Sequence, residues 1–171
     1  TGWFEHNKVE IARMYQDLVL PTVDVQAQRV ELARVRASEQ KARALFQGFH
    51  PYRIFARLLF PAMGKATEKF SRAQTAVNEA RIACALERYR LRHGAFPEKL
   101  DALAPEFLAR VPHDLINGEP LKYRRTEDGG FVLYSVGWNE KDDGGETVWE
   151  KGKPPRQDTS AGDWVWRCPA K

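Results

Sequence analysis

Between residues 137 and 163 the sequence gathers side-chain oxygens: Asn139, Glu140, Asp142, Asp143, Glu146, Asp158 and Asp163. Hard cations such as calcium take about six to eight oxygens at roughly 2.3–2.6 Å, mixing carboxylates with backbone carbonyls. The glycines of this stretch let the chain turn its carbonyls inward. The register is not that of an EF-hand, because the alternating acidic run with its central Gly and closing Glu is absent. The composition supports a cation site, and it equally supports a loop whose acidic residues keep it solvated.

Other chemistry-bearing residues form weaker constellations. His6, His50, His93 and His113 fall in no HExxH or HxH pattern, and no Ser lies in a GxSxG elbow. His113-Asp114 has the types of an acid–base pair, but in a turn next to Pro112 an Asp reads first as a turn or cap residue. Trp138, Trp149, Trp164 and Trp166 could line a sugar or peptide site or cover a thin sheet. Gly144-Gly145 opens no helix, so it is no phosphate loop. The chain therefore reads as non-enzymatic. Cys84 and Cys168 have neither metal spacing nor a CxxC motif; they read as a disulfide in an oxidising compartment or as two buried free thiols.

The elements that must position these residues follow from periodicity. Helix is expected from Trp3 to Gly48, interrupted at Pro21, with residues 25–45 rich in good helix formers and a thin apolar stripe of Val30, Ala33, Ala37, Ala44 and Leu45. Gly48-Phe49-His50-Pro51 is a break. Residues 52–63 make an apolar patch, read as a helix capping the core of its own domain or as a surface for a membrane or partner helix. The best-defined helix is 67–93, with Ala73, Ala76, Val77, Ala80, Ala83 and Cys84 as its buried stripe and Ile82, Leu86 and Tyr89 widening it. Gly94 stops it. Leu100, Leu103, Phe107 and Leu108 give a short amphipathic turn or two, and Asn117-Gly118 another turn. Residues 121–125 and 131–136 read as a hairpin joined through Glu127-Asp128-Gly129-Gly130, and 164–167 as a final strand after a long loop at 137–162.

Charge divides the chain. Residues 1–100 carry 17 Lys and Arg against 10 Asp and Glu, giving +7; residues 101–171 carry 10 against 13, giving −3. The basic half reads as a solvated helical face rather than a nucleic-acid site. No stretch approaches the roughly 18–20 apolar residues that span a bilayer; 54–63, the nearest, contains Arg57. A start at Thr1 suggests an excised fragment, so the absence of an anchor here says little about the native protein.

The order of these parts resembles the type II secretion major pseudopilins. The helix end Leu86-Glu87-Arg88-Tyr89-Arg90-Leu91-Arg92-His93-Gly94-Ala95-Phe96-Pro97 is similar to their YxxxxGxYP segment. Val111-Pro112-His113-Asp114 with Asn117-Gly118-Glu119-Pro120-Leu121-Lys122-Tyr123 is similar to their PxDPWGxPYxY turn and first strand, and Phe131-Val132-Leu133-Tyr134-Ser135-Val136-Gly137 to their FxYSxG strand. The likeness covers about 67–167. The phrase from Leu133 to Gly145 also resembles large uncharacterised bacterial proteins that end in a pilin-like domain.

The periodicity and the resemblance together give an α+β fold, with long N-terminal helices followed by a small antiparallel β-sheet: a helical arm at 1–65, read from the residues, and a pseudopilin-like head at 66–171, implied by the resemblance. The resemblance implies calcium in the loop, with Asn139 standing where an Asp ligand is usual, Asp142 in the following acidic stretch, Asp163 as the closing Asp, and Asp143 and Asp158 as neighbours that could substitute. Asn in place of Asp removes a charge, so a weaker site is expected. It further implies an extracytoplasmic, non-enzymatic module, anchored at the inner membrane, that self-assembles or meets protein partners and binds no nucleic acid. The alternative is a ligand- or protein-binding domain of a larger envelope protein with a tryptophan-rich face. The long polar arm is a departure from the family, whose transmembrane helix directly precedes the head.

Overall fold

The computed structural model describes residues 2–48, 50–152 and 156–169, with the side chains of 61–64 left out. Phe49 of the expected break and the side chains of 61–63 in the apolar patch lie outside the described residues. Helices and small antiparallel sheets make an α+β fold, as the sequence suggests. The chain divides into two compact units, Thr1–Phe70 and Ser71–Lys171, with the division falling inside a helix.

In the first unit, helix α1 (Gly2–Met14) runs on through a wide turn at Tyr15–Val19 and a tight turn at Leu20–Thr22. Pro21 lies at the start of that tight turn, where its missing N–H costs little. The uninterrupted helix expected over 25–45 is not there. A two-residue strand β1 (Val23–Asp24) pairs with β2 (Arg29–Val30), and α2 begins only at Leu32 and ends at Leu45. The reason is local: the Asp24 carboxylate accepts the Ala27 N–H at 2.8 Å, and Gln28 takes a φ of +49°, so a side-chain-built turn outcompetes helix propensity. The apolar stripe shifts with it. Ala33, Ala37 and Ala44 are exposed, whereas Leu32, Val35 and Ala42 are buried.

This unit's core is Met14, Leu18, Ala42, Ala56 and Phe60. Buried Asn7 ties α1 to the start of helix α3 (Ile54–His93): its Nδ2 donates to Trp3 O and Pro51 O, and its Oδ1 accepts the Phe55 N–H at 3.3 Å. The last bond satisfies one of the unpaired amides of a helix start. Of the apolar patch, Ala56 and Phe60 join the core while Tyr52, Leu58 and Leu59 are exposed. Among the described residues no helix is long and apolar enough to cross a membrane.

In the second unit, the remainder of α3 lies beside a three-stranded antiparallel sheet of order β3–β4–β7: β3 (Lys122–Arg125), β4 (Phe131–Ser135) and β7 (Trp164–Cys168). The hairpin and the last strand stand where expected. The stretch 137–162 is not structureless, because β5 (Thr147–Glu150) and β6 (Arg156–Gly162) pair within it. Gly94, at φ +82°, ends α3 with its N–H on Arg90 O. Leu100–Leu103 forms one tight helical turn, and Leu103 and Phe107 enter the core with Ile82, Leu86, Phe96, Phe131 and Leu133.

The buried face of α3 differs from the one expected. Ala73, Ala76, Val77 and Cys84 are exposed, and Ala80 and Ala83 are half-buried. The buried positions are Ser71, Thr75, Asn78, Glu79, Ile82, Ala85 and Leu86. Both sets follow helical spacing, so periodicity alone favours the more apolar one; the bulky Ile82 and Leu86 fix the true face. Ile82→Ala should therefore cost about 3 kcal/mol in urea unfolding and Val77→Ala under about 1 kcal/mol. Equal costs would contradict this assignment.

Candidate functional site

Strand β4 is buried along its whole length, although its residues alternate between two faces. Phe131 and Leu133 point into the helix-side core, and Ser135, in phase with them, donates its hydroxyl to the buried Asp114 Oδ1 at 2.9 Å. Val132 and Tyr134 occupy the opposite face, and there the acidic loop covers them. Gly145 lies so close that a Cβ added to it would sit 3.3 Å from both side chains. The Tyr134 hydroxyl donates to Asp142 Oδ1 at 3.1 Å.

The flanking strands supply cations to the same cover. Register pairs Lys122 with Tyr134, and both Arg124 and Arg167 with Val132. Lys122 Nζ stands 3.7 Å from Asp142 Oδ2. Arg124 donates to Gly144 O at 3.4 Å, and Arg167 to Gly145 O at 2.6 Å, with Glu146 3.6 Å away. The loop thus meets a row of positive side chains projecting from a sheet face.

Asp163 closes the loop from its far end. Its side chain is fully buried; Oδ2 accepts the Gly145 N–H at 2.6 Å and Oδ1 the Asp143 N–H at 3.3 Å. Its own N–H donates to Glu146 O at 2.8 Å. Burial pushes its carboxyl above the usual range; the two amides pull it down, and the Asp143 and Asp142 charges push it up again. Asp142 is held below the usual range, first by the Gly144 N–H and then by Tyr134 and Lys122. Asn139 Nδ2 donates to Asp143 Oδ2 at 2.8 Å, and Asn139 Oδ1 accepts the Lys141 N–H. The four sequence-derived candidates, Asn139, Asp142, Asp143 and Asp163, therefore belong to one hydrogen-bonded loop. Asp158 is held elsewhere, by Ser160 within β6.

The donor set is of the right class for a hard cation, being all oxygen. Each of the four already accepts at least one N–H, so an ion would share these oxygens rather than find them unengaged. Among the described residues no group of three or more His, Cys, Asp or Glu is arranged to hold a metal.

Asp114 does the corresponding task on the inner face. Its Oδ1 accepts from Ile116 N and Ser135 Oγ, and its Oδ2 accepts the Val136 N–H at 3.0 Å. This is turn-cap chemistry, and it fastens the 113–120 turn to the end of β4. Cys84 and Cys168 are free thiols; Cys84 is exposed, not buried. Trp164 is buried and donates its indole N–H to Thr159 O, while Trp149 is 59% exposed.

Sequence reasoning missed Glu79. It is only 4% exposed, its Oε1 makes no hydrogen bond among the described residues, and neither does the buried Thr75 Oγ1 one turn earlier. Burial, with the Asp114 charge adding to it and Arg72 opposing, pushes Glu79 up to about 8. The available signal was spacing: Ser71, Thr75, Asn78 and Glu79 share the face of Ile82 and Leu86. Comparison of the chain with protein-family models, curated proteins and solved structures finds no match.

Two outcomes follow from this geometry. Gly137 has φ +67°, and a Cβ there would overlap Gly162 O, whereas Gly144 at φ +72° faces open space. Gly137→Ala should cost about 2 kcal/mol or more and Gly144→Ala only about 1 kcal/mol in chemical denaturation; the reverse order would refute the close approach. The folded state holds the Glu79 proton more tightly than the unfolded chain, whose Glu titrates near 4.5. The resulting penalty is absent below pH 4.5, grows as pH rises towards 8 and is complete above it. Glu79→Gln should thus stabilise by about 1–3 kcal/mol at neutral pH, with the gain vanishing in unfolding titrations near pH 4.5. A pH-independent difference would contradict the buried proton.

Proposed function

We propose that the second unit is a non-enzymatic, extracytoplasmic, pseudopilin-like structural module that assembles with itself or with protein partners, and that calcium orders its 137–146 loop. Inner-membrane attachment through a segment outside this chain belongs to the same proposal. The observation that carries it is the loop: three carboxylates, Asp142, Asp143 and Asp163, are folded together with Asn139 against the outer face of β4. Carboxylates confined in this way repel one another, and a divalent cation is the direct remedy. Further support comes from the order of parts, in which a long helix stopped by a Gly, a capped turn and a hairpin are followed by an acidic loop and a closing strand. Asp114 supports the non-enzymatic reading, since both its oxygens are committed to holding the turn. A second reading, a ligand- or protein-binding domain, rests on the exposed Trp149 and Trp166.

An ion that binds the folded state preferentially raises the melting temperature. Scanning calorimetry in millimolar calcium should place the transition about 5 °C above that in chelator, and Asp143→Asn should shrink the difference. Superimposable melts would remove calcium from this account.

A further inference from the structure

The exposed face of α3 in the second unit bears an open groove of about 380 Å³ that is unrelated to the loop. Val77, Ala80, Cys84 and Leu108 supply its apolar lining, with Arg81 and Arg88 alongside. Val77 is 51% exposed and Cys84 is exposed, so this surface has no cover from the described residues of its own unit. We propose that the groove docks a partner's amphipathic helix whose apolar stripe is flanked by Asp or Glu.

Three observations select that occupant. Val77, Ala80 and Cys84 lie at i, i+3 and i+7, the seam spacing of two packed helices, and the small Ala80 and Cys84 allow close approach. Arg81 and Arg88, themselves seven residues apart, run along one edge of that seam, and no acidic residue lines the groove. Neither arginine has an ion pair among the described residues: Arg88 bonds only the Phe107 carbonyl at 3.3 Å and lies 5.6 Å over that ring, and Arg81 has no hydrogen bond. A cationic edge beside an apolar seam is complementary to an acidic amphipathic helix. A second copy fits poorly, because an isologous contact would lay one arginine-edged seam against another. The inference is independent of the calcium reading and of the loop.

Cys84 reports on occupancy directly. The full chain would be titrated with a synthetic three-heptad helix carrying Leu at the seam and Glu at its flanks, and binding followed by fluorescence anisotropy. Alkylation of each thiol by N-ethylmaleimide would be resolved by mass spectrometry, with Cys168 as internal reference. The expected result is saturable binding and an at least roughly tenfold slowing of Cys84 alkylation. Arg81→Glu/Arg88→Glu should abolish both, and a peptide with Lys at the flanks should restore them in that variant. Equal protection by a scrambled peptide, or by oleate, would overturn the proposal. So would wild-type behaviour of the double variant, or a dimer of the chain alone that Val77→Asp dissolves.

Discussion

Asp163 is a fully buried carboxyl group, and its two oxygens hold the amides of Gly145 and Asp143. That clasp joins the residue after the β5–β6 excursion to the end of the acidic loop. The loop so held lies over Val132 and Tyr134. Strand β4 can then carry large apolar residues on both faces, which a three-stranded sheet with one helix layer would otherwise leave wet. The arrangement also explains Gly137, Gly145 and Gly162, which keep the backbone close where any side chain would intrude. Lys122, Arg124 and Arg167 make the contact electrostatically coherent by presenting positive charge to carbonyls and carboxylates. Much of the repulsion within the acidic loop is answered by the sheet itself, and a bound cation would add to that answer.

A second buried carboxylate works in parallel and at a cost. Asp114 is buried with three donors on its two oxygens. It adds to the upward push on Glu79, which lies on the buried face of α3 without a full set of partners. On the buried face of the helix Ser71, Thr75, Asn78 and Glu79 precede Ile82 and Leu86, which pack with Phe131 and Leu133 of the sheet. Apolar packing therefore fixes one end of this buried face, and polar side chains occupy the other.

What was legible in the sequence was whatever one strong local rule decides. The alternation of 121–136 around Gly129-Gly130 announced the hairpin, Gly94 announced the helix stop, and Trp164 to Arg167 announced the closing strand. The acidic loop was visible as a cluster, but not its burial of Asp163, since burial comes from strands distant in sequence. Where two rules compete the sequence is ambiguous. Asp24 builds a turn inside a run of helix formers, and α3 offers two helical stripes, one of alanines and one of mixed polar and bulky residues. The apolar stripe looks like core and is not, because volume rather than count of apolar residues fills the space against a sheet. The β5–β6 hairpin was hidden by its polar composition.

The central claim is that the Asp163 carboxylate, by holding two amides, folds the loop onto the sheet. Amide hydrogen exchange by NMR on the wild type and on Asp163→Ala tests it most directly, because Ala removes both acceptor oxygens. The account predicts that the Gly145 and Asp143 amides lose their protection while those of Val132 and Leu133 in β4 keep theirs. Undiminished protection of the Gly145 amide in the variant would contradict it.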